Sequence, residues 1–193
     1  MKSDFWLEFK RQMVHLLLGS AIAFTMYFFK LYTVLLLLAT TILFLVVPRF
    51  SPNNPLSRLL MALFERKKDI EEFPFRGAIF FNIGAVSAVF LLPLEFACGV
   101  ILVLGWGDSM STLIGKYIGR HRIGAKSIEG SLAFLLFGFI GALFFLNWEM
   151  ALLFAFVGMF IELFLPFNDN LSIPIGLSLL YYVFSSISSF LRW

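Results

Sequence analysis

Long apolar segments alternate with short polar ones along the chain, and this alternation is its strongest structural signal. Apolar windows of about 17–20 residues recur, which is the length that an α-helix needs to cross a hydrocarbon core of roughly 30 Å. Hairpin turns are expected at Lys30, Pro93 and Asn147. The pattern predicts an all-α polytopic membrane protein in which residues 1–193 form one domain. Its seven predicted spans are 13–29, 31–47, 77–92, 94–115, 131–146, 149–166 and 172–190.

Composition agrees with this class and excludes others. The chain is 60% apolar and 14% charged, whereas a soluble domain carries roughly 25% charged residues. One cysteine excludes a disulfide within the chain, and two histidines are too few for a histidine-based metal centre. The sequence contains no P-loop and no protein-kinase signature set. Nothing in it points to nucleic-acid binding.

The positive charges predict the orientation. Thirteen of the 15 Lys and Arg residues lie before residue 12, in 48–76 or in 116–126, and only Lys30 and Arg192 lie elsewhere. With seven spans, all three segments fall on one side of the membrane, which the positive-inside rule makes cytoplasmic. The N-terminus and a loop at about 48–76 are therefore predicted to be cytoplasmic, with a short amphipathic helix over 56–65 at the interface. A one-sided basic surface also attracts anionic headgroups and nucleotides.

A polar, glycine-rich block over 105–131 interrupts the apolar pattern. Asp108 follows an apolar run, and a carboxylate near bilayer depth is costly enough to mark a functional site. Lys126, Ser127 and Glu129 stand at the start of the next apolar run, where the N-terminus of a helix favours phosphate. Ser127 also fits a simple helix cap. Carboxylate and hydroxyl oxygens are ligands suited to Mg²⁺.

A stripe of small residues runs through the same block at helical spacing. It contains Gly105, Asp108, Ser111 or Thr112, Gly115 and Gly119. Gly115 and Gly119 equally fit close helix packing through a small-x-x-x-small pattern. Packing alone, however, does not require the carboxylate of Asp108.

Three other segments are predicted to bring polar groups to the same membrane face. Glu8, Arg11 or Gln12, and His15 recur every three to four residues and so share one helix face. Glu162 lies near the inner end of the sixth span. Asp169 and Asn170 precede the seventh, where a turn and helix cap is the alternative explanation.

The stretch GDSMSTLIGKYIGRHRIGAKSIEGS resembles the signature of the polyprenol kinase family, which includes dolichol kinase, phytol kinase and CTP-dependent diacylglycerol kinase. Glu8 to His15 is similar to the family's N-terminal E-x-x-R-K-x-x-H pattern, with Lys10 and Arg11 in the reverse order. Glu162, with Asp169-Asn170 and Pro174, is similar to its C-terminal E…DN…P element. The pair Ser111-Thr112 departs from the alanine-containing pair that is usual in the family.

The resemblance implies transfer of the γ-phosphate of CTP to the hydroxyl of a lipid alcohol: a polyprenol, an isoprenoid alcohol or diacylglycerol. It implies catalytic roles for Asp108, Glu129 and Lys126, and Mg²⁺ held by Asp108, Glu129 and Asp169. The expected nucleotide- and phosphate-binding residues are Lys10, Arg11, His15, Gly107, Gly115, Gly119, Arg120, Arg122, Ser127, Gly130 and Ser131. Glu8, Glu162 and Asn170 are expected to complete the site.

Two other functions remain open at this point. A CTP-dependent cytidylyltransferase that makes a CDP-lipid carries a similar central block, but its longer C-terminal signature does not match residues 166–170. An ion-coupled transporter, with Asp108 and Glu129 as a relay pair, would explain buried carboxylates. The sequence shows no inverted repeat that would support it. For the kinase, the expected location is a prokaryotic inner membrane with the site facing the cytoplasm; the oligomeric state is open.

Overall fold

The computed structural model describes residues 2–50, 54–65, 67–165 and 167–190, and these are almost entirely helical. Arg66 and Arg192 of the charge pattern, and Pro166 at the end of the sixth predicted span, lie outside the described residues. The helices are α1 (Lys2–Phe28), α2 (Lys30–Phe50), α3 (Pro55–Phe64), α4 (Lys67–Glu72), α5 (Arg76–Leu91), α6 (Leu94–Leu102), α7 (Ser109–Tyr117), α8 (Ile128–Ala142), α9 (Trp148–Phe164) and α10 (Asp169–Phe190). A two-stranded antiparallel hairpin, β1 (Arg122–Ile123) and β2 (Lys126–Ser127), precedes α8.

The all-α prediction is confirmed, and every predicted span overlaps a helix. Helices break at Phe29, at Pro93 and before Asn147, close to the three predicted turns. Among the described residues, two helical stretches are long and apolar enough to cross a bilayer, Lys30–Arg49 and Leu94–Tyr117. Helices α5 and α8 are apolar but have only 16 and 15 residues. Seven spans therefore remain a prediction.

The stretch from Leu94 to Tyr117 is not one regular α-helix. Residues Val103–Asp108 form a π-helical turn between α6 and α7. Such turns insert an extra residue into a helix and occur frequently at functional sites. This one ends at Asp108, so it determines the direction in which that carboxylate points.

The π-helical turn lies at the centre of the packing. Residues 100–104 are completely buried and contact α1, α8, α9 and α10. Gly105 permits close approach to α1, because a Cβ there would lie 3.4 Å from the Cα of Gly19. The turn is thus held by neighbouring helices on several sides.

The surface of α2 is strongly apolar. Leu31, Tyr32, Leu35 and Leu36 are each more than half exposed. Exposed apolar areas of this kind are typical of surfaces that meet a membrane or a protein. This surface agrees with the membrane span predicted over 31–47.

The segment 48–76 contains more helix than the predicted loop. Helix α2 continues to Phe50, and α3 confirms the short helix predicted over 56–65. Phe75, just before α5, has a left-handed backbone with φ of 60°. Its buried ring stacks on Phe44 of α2 with 4.8 Å between ring centroids.

Candidate functional site

Three carboxylates from distant parts of the chain meet beside the π-helical turn. Asp108 ends that turn, Glu162 lies near the end of α9, and Asp169 begins α10. One oxygen of each lies within 4.8 Å of the others. Glu162 is buried, whereas Asp108 and Asp169 are partly exposed.

Lys126 of β2 holds two of these carboxylates together. Its Nζ donates to Glu162 Oε1 at 2.6 Å and to Asp169 Oδ2 at 2.9 Å. The hydroxyl of Ser111 donates to the same Glu162 oxygen at 2.9 Å. The other oxygen, Glu162 Oε2, is buried without a hydrogen-bond partner among the described residues.

The surplus of negative charge in this cluster changes its proton affinities. Burial lowers the pKa of Lys126, but the charges of Asp169 and Glu162 outweigh that effect and raise it above its usual value. Burial, together with the charge of Asp108, raises the pKa of Asp169 to about 7, although Lys126 opposes this shift. One ammonium group therefore does not neutralise three carboxylates, and burial beside them favours the protonated form of Asp169. Lys126 and Asp169 both lie outside the predicted membrane spans, which begin at residues 131 and 172.

The donor set of the cluster suits a hard divalent cation. Mg²⁺ takes oxygen ligands, and it is usually bound through one or two carboxylates together with waters and substrate phosphates. A bound cation would accept a lone pair from Glu162 Oε2, which has no hydrogen-bond partner among the described residues. It would also offset the surplus negative charge of the three carboxylates. The residues present therefore fit Mg²⁺.

The structure places Glu129 outside this cluster, so the third carboxylate near Asp108 and Asp169 is Glu162. Glu129 accepts hydrogen bonds from the backbone N–H of His121 and contacts its ring Nδ1 at 2.7 Å. The His121 contact, with neighbouring backbone N–H groups, lowers the pKa of Glu129 to about 2. Glu129 lies outside the cluster because it is in the first turn of α8, next to the loop that begins at His121. There it binds His121 and not Asp108.

The predicted glycine and serine residues form a tight contact between α7 and α8. Ser127 caps α8 by accepting from the N–H of Gly130 at 3.1 Å, and Ser131 donates to the Ser127 carbonyl. A Cβ on Gly115 would lie 3.4 Å from Gly130 Cα, and Gly119 lies against Ser127. Packing and capping thus describe what these residues do here. Their binding of phosphate stays a prediction, as does that of Gly107, which packs on Phe134.

The N-terminal polar residues share one face of α1, as predicted. Buried Glu8 accepts hydrogen bonds from Arg11 at 3.3 Å and from Gln12 at 3.1 Å. It also accepts one at 3.0 Å from Lys116 of α7, a partner that sequence reasoning missed. One further turn along α1, His15 Nε2 lies 3.6 Å from Asp108 Oδ2.

The predicted basic residues outside these clusters lie on the surface. Lys10 is exposed on α1, and Arg120 and Arg122 are exposed around the start of the hairpin. None of the three forms an ion pair with Asp108, Glu162 or Asp169 in the part of the chain that the structure describes. Their interaction with phosphate stays a prediction.

A cavity of about 300 Å³ opens beside Asp108. Asn170, which donates to the carbonyl oxygen of Gly77 at 3.0 Å, lines it together with His15 and Arg11. Most of the remaining wall is apolar and includes Leu18, Ile22, Phe44, Leu60, Phe75, Ala78 and Phe81. The sequence predicts that some of its 26 Phe residues line such a space. It does not show which ones, because apolar side chains that line a cavity have the same pattern as apolar side chains in a core.

The fold and the site together define an all-α protein with a carboxylate cluster beside an apolar cavity. No family model matches the chain, and no solved structure is similar to it. The chain is 30% identical over 185 residues to an uncharacterized protein of Methanocaldococcus jannaschii, which covers 86% of this chain and 88% of that protein. It therefore belongs to the same family as that archaeal protein.

Two further relatives extend the comparison. An uncharacterized protein of Rickettsia prowazekii is 28% identical over 202 residues, covering 95% of this chain and 98% of the relative. A phytol kinase of Synechocystis sp. is 33% identical over 115 residues, covering 52% of this chain and 46% of the kinase. The chain is thus a distant, partial homologue of a phytol kinase, and the resemblance to isoprenoid alcohol kinases is supported to that extent.

Proposed function

We propose that this protein is a membrane-embedded kinase that transfers the γ-phosphate of CTP to the hydroxyl of an isoprenoid-type lipid alcohol. The position of Asp108 carries the proposal. Its carboxylate belongs to the cluster with Glu162 and Asp169 and also lines the apolar cavity. A kinase for lipid alcohols needs a charged site next to an apolar one. Its phosphate donor is charged, whereas the acceptor is apolar except for its hydroxyl group.

The charged side of the site is assigned to the nucleotide. We assign Mg²⁺ to Glu162 and Asp169, and the bound ion would neutralise charge on the phosphates. Lys126 lies against both carboxylates and places its own positive charge beside them. Enzymatic phosphoryl transfer relies mainly on positioning and electrostatic stabilisation, which this group of charges supplies. Arg120 and Arg122, exposed near the hairpin, are assigned to the outer phosphates.

Asp108 is assigned to the acceptor hydroxyl, because it is the carboxylate of the cluster that lines the cavity. The alcohol oxygen forms a bond to the γ-phosphorus while the bond from that phosphorus to the bridging oxygen of CDP breaks. The alcohol proton passes to a carboxylate oxygen of Asp108, and CDP leaves. A positioned general base of this kind contributes typically 10²–10⁴-fold to a rate.

The cytoplasmic side of a prokaryotic inner membrane is the proposed location. The basic segments near residues 10, 58 and 120 support it through the positive-inside rule. The two long apolar helices and the exposed apolar surface of α2 support a membrane-embedded protein.

The test is an assay of purified protein with CTP or ATP, each labelled at the γ-phosphate and each tested separately. The acceptors are polyprenol, phytol, geranylgeraniol and diacylglycerol. Labelled lipid phosphate and CDP are the expected products. A parallel reaction contains phosphatidic acid, because a CDP-lipid forms only when the phosphate of the acceptor attacks the α-phosphorus of CTP and pyrophosphate leaves. Pyrophosphate and a CDP-lipid in that reaction would instead identify a cytidylyltransferase, and absence of labelled lipid with every donor and alcohol would contradict the kinase.

A further inference from the structure

The two oxygens of the Glu162 carboxylate have different surroundings. Oε1 accepts two hydrogen bonds, one from Lys126 Nζ at 2.6 Å and one from the Ser111 hydroxyl at 2.9 Å. Oε2 is buried and has no hydrogen-bond partner among the described residues. The Glu162 side chain is only 1% exposed, so bulk water has little access to it. The protein therefore occupies one oxygen of this carboxylate and leaves the other for a ligand.

The two donors to Oε1 differ in how firmly they are held. Lys126 reaches this oxygen through a flexible four-carbon stem, and its side chain is 32% exposed. Ser111 is buried, and its hydroxyl is one bond away from Cβ on α7. A Cβ added to Gly130 of α8 would lie 2.9 Å from the Ser111 carbonyl oxygen, so the two helices are in close contact at this point. Ser111 is thus the short and rigid donor that fixes the orientation of the Glu162 carboxylate.

Mg²⁺ and Ca²⁺ use carboxylate groups differently. Mg²⁺ requires a nearly octahedral arrangement of oxygens at about 2.0–2.1 Å. Ca²⁺ takes about 6–8 oxygens at about 2.3–2.6 Å and can bind both oxygens of one carboxylate. An ion that binds Glu162 through both oxygens has to displace Ser111 and Lys126 from Oε1. One free oxygen is sufficient for Mg²⁺, whereas Ca²⁺ loses a ligand that it could otherwise take.

We propose that Ser111 is a positioning residue that makes the carboxylate cluster selective for Mg²⁺ over Ca²⁺. It acts through Glu162, because it occupies Oε1 and leaves Oε2 to bind the ion. The inference rests on the Mg²⁺ site of the proposed function and deepens it by naming the residue that selects the ion. A hydrogen bond to a charged group is worth about 10-fold or more in binding, and only an ion that needs Oε1 has to break it.

The experiment measures binding of Mn²⁺ to the purified protein in detergent, without nucleotide and without lipid alcohol. Mn²⁺ takes the same kinds of oxygen ligand as Mg²⁺, and its EPR signal distinguishes free from bound ion. Mg²⁺ and Ca²⁺ are then added separately as competitors, which gives a Kd for each. The wild type is expected to bind Mg²⁺ more tightly than Ca²⁺. Glu162→Gln is expected to remove most of the Mn²⁺ binding, because it removes the charged ligand.

Ser111→Ala removes the short donor to Oε1 and keeps Lys126 and the three carboxylates. It is expected to lower the ratio of the Ca²⁺ Kd to the Mg²⁺ Kd about 10-fold, chiefly by tightening the binding of Ca²⁺. A merely structural disturbance would weaken both ions together and leave this ratio unchanged. Ser178→Ala is the matched control, because Ser178 is also buried and its hydroxyl donates to the Pro174 carbonyl oxygen. The control is expected to keep the wild-type ratio.

The proposal would be overturned by equal Kd values for Mg²⁺ and Ca²⁺ in the wild type, or by a ratio that Ser111→Ala leaves unchanged. Absence of Mn²⁺ binding to the wild type, or binding that survives Glu162→Gln, would overturn it as well. The kinase assay fails independently of this experiment. Labelled lipid formed with Ca²⁺ as readily as with Mg²⁺ would reject the selectivity and keep the kinase. Mg²⁺-selective binding without any labelled lipid would do the reverse.

Discussion

Replacing Glu162 with Gln tests whether charge holds the carboxylate cluster together. The Glu162 side chain is 1% exposed and accepts from Lys126 at 2.6 Å and from Ser111 at 2.9 Å. Glutamine has nearly the same shape and keeps an oxygen that accepts from Ser111. The substitution therefore removes the negative charge while leaving the packing of α9 intact.

The expected loss of stability follows from the contacts that remain. Breaking a buried ion pair by removing one partner costs about 3–5 kcal/mol. Lys126 is 32% exposed and keeps Asp169 at 2.9 Å, so the loss is smaller. We expect about 1.5–3 kcal/mol, the value of a hydrogen bond to a charged group. For a domain of this size that corresponds to a decrease in Tm of roughly 3–12 °C.

The assay is thermal unfolding in one detergent, with and without Mg²⁺. A ligand present at 100 times its Kd stabilises the folded state by about 2.7 kcal/mol, so Mg²⁺ is expected to raise the Tm of the wild type. Glu162→Gln is expected to lose most of that increase. Glu149→Gln is the matched control, because Glu149 is exposed in the first turn of the same helix and contributes only about 0.3–1 kcal/mol through the helix dipole. A Tm for Glu162→Gln within about 1 °C of the wild type would refute the ion-paired cluster.

Four other substitutions give separate tests. Asp108→Asn is expected to reduce phosphoryl transfer about 10²–10⁴-fold without unfolding the protein, and near-normal activity would remove Asp108 from the site. Because the pKa of Asp169 is raised from 3.8 to about 7, the folded state binds more protons than the unfolded state in that range. The free energy of unfolding without Mg²⁺ is then expected to fall as pH rises from about 4 to 7, and Asp169→Asn should flatten this dependence in chemical denaturation. Ser127→Ala removes the cap of α8 and is expected to cost about 1 kcal/mol, measured by denaturant unfolding; an unchanged midpoint would contradict the cap. Gly130→Ala places a Cβ 2.9 Å from the carbonyl oxygen of Ser111 and is expected to cost about 1–3 kcal/mol in the same experiment, where a neutral result would contradict the close packing of α7 and α8.

The helices could be predicted because their signals are local. Long apolar segments indicate helices. The turns between them contain residues that end or cap a helix through the backbone next to them. Pro93 cannot donate a hydrogen bond to a continuing helix. Asn147 caps α9 by accepting from the N–H of Met150 at 3.0 Å. Neither effect depends on the rest of the fold.

The number of membrane spans could not be settled in the same way. Apolarity shows that a segment avoids water, but a helix buried among other helices avoids water as well. The apolar helix α5 has seven buried residues among its 16, for example. A membrane-spanning helix and a helix buried among other helices differ in whether their apolar side chains face lipid or face other helices. Hydropathy does not report which of these the side chains face.

The candidate site likewise has one part that local sequence predicts and another that depends on helix packing. Asp108 stood out because a carboxylate is costly in an apolar helix, a property of one residue and its neighbours. Its partners depend on which helices pack together. Glu129 lies 21 residues away and Glu162 lies 54 away, yet Glu162 reaches Asp108 while Glu129 turns to His121. The π-helical turn that aims Asp108 is likewise maintained by contacts with neighbouring helices.

The sequence by itself determined the helical class, the main turns and the polar block around Asp108, because each follows from short-range hydrogen bonding and the cost of moving charge out of water. Tertiary structure alone decided that Glu162 completes the carboxylate cluster, that Lys126 bridges it, and that an apolar cavity opens on the other side of Asp108. These features arise from side chains far apart in the chain, and only the packing of the helices determines which of them meet.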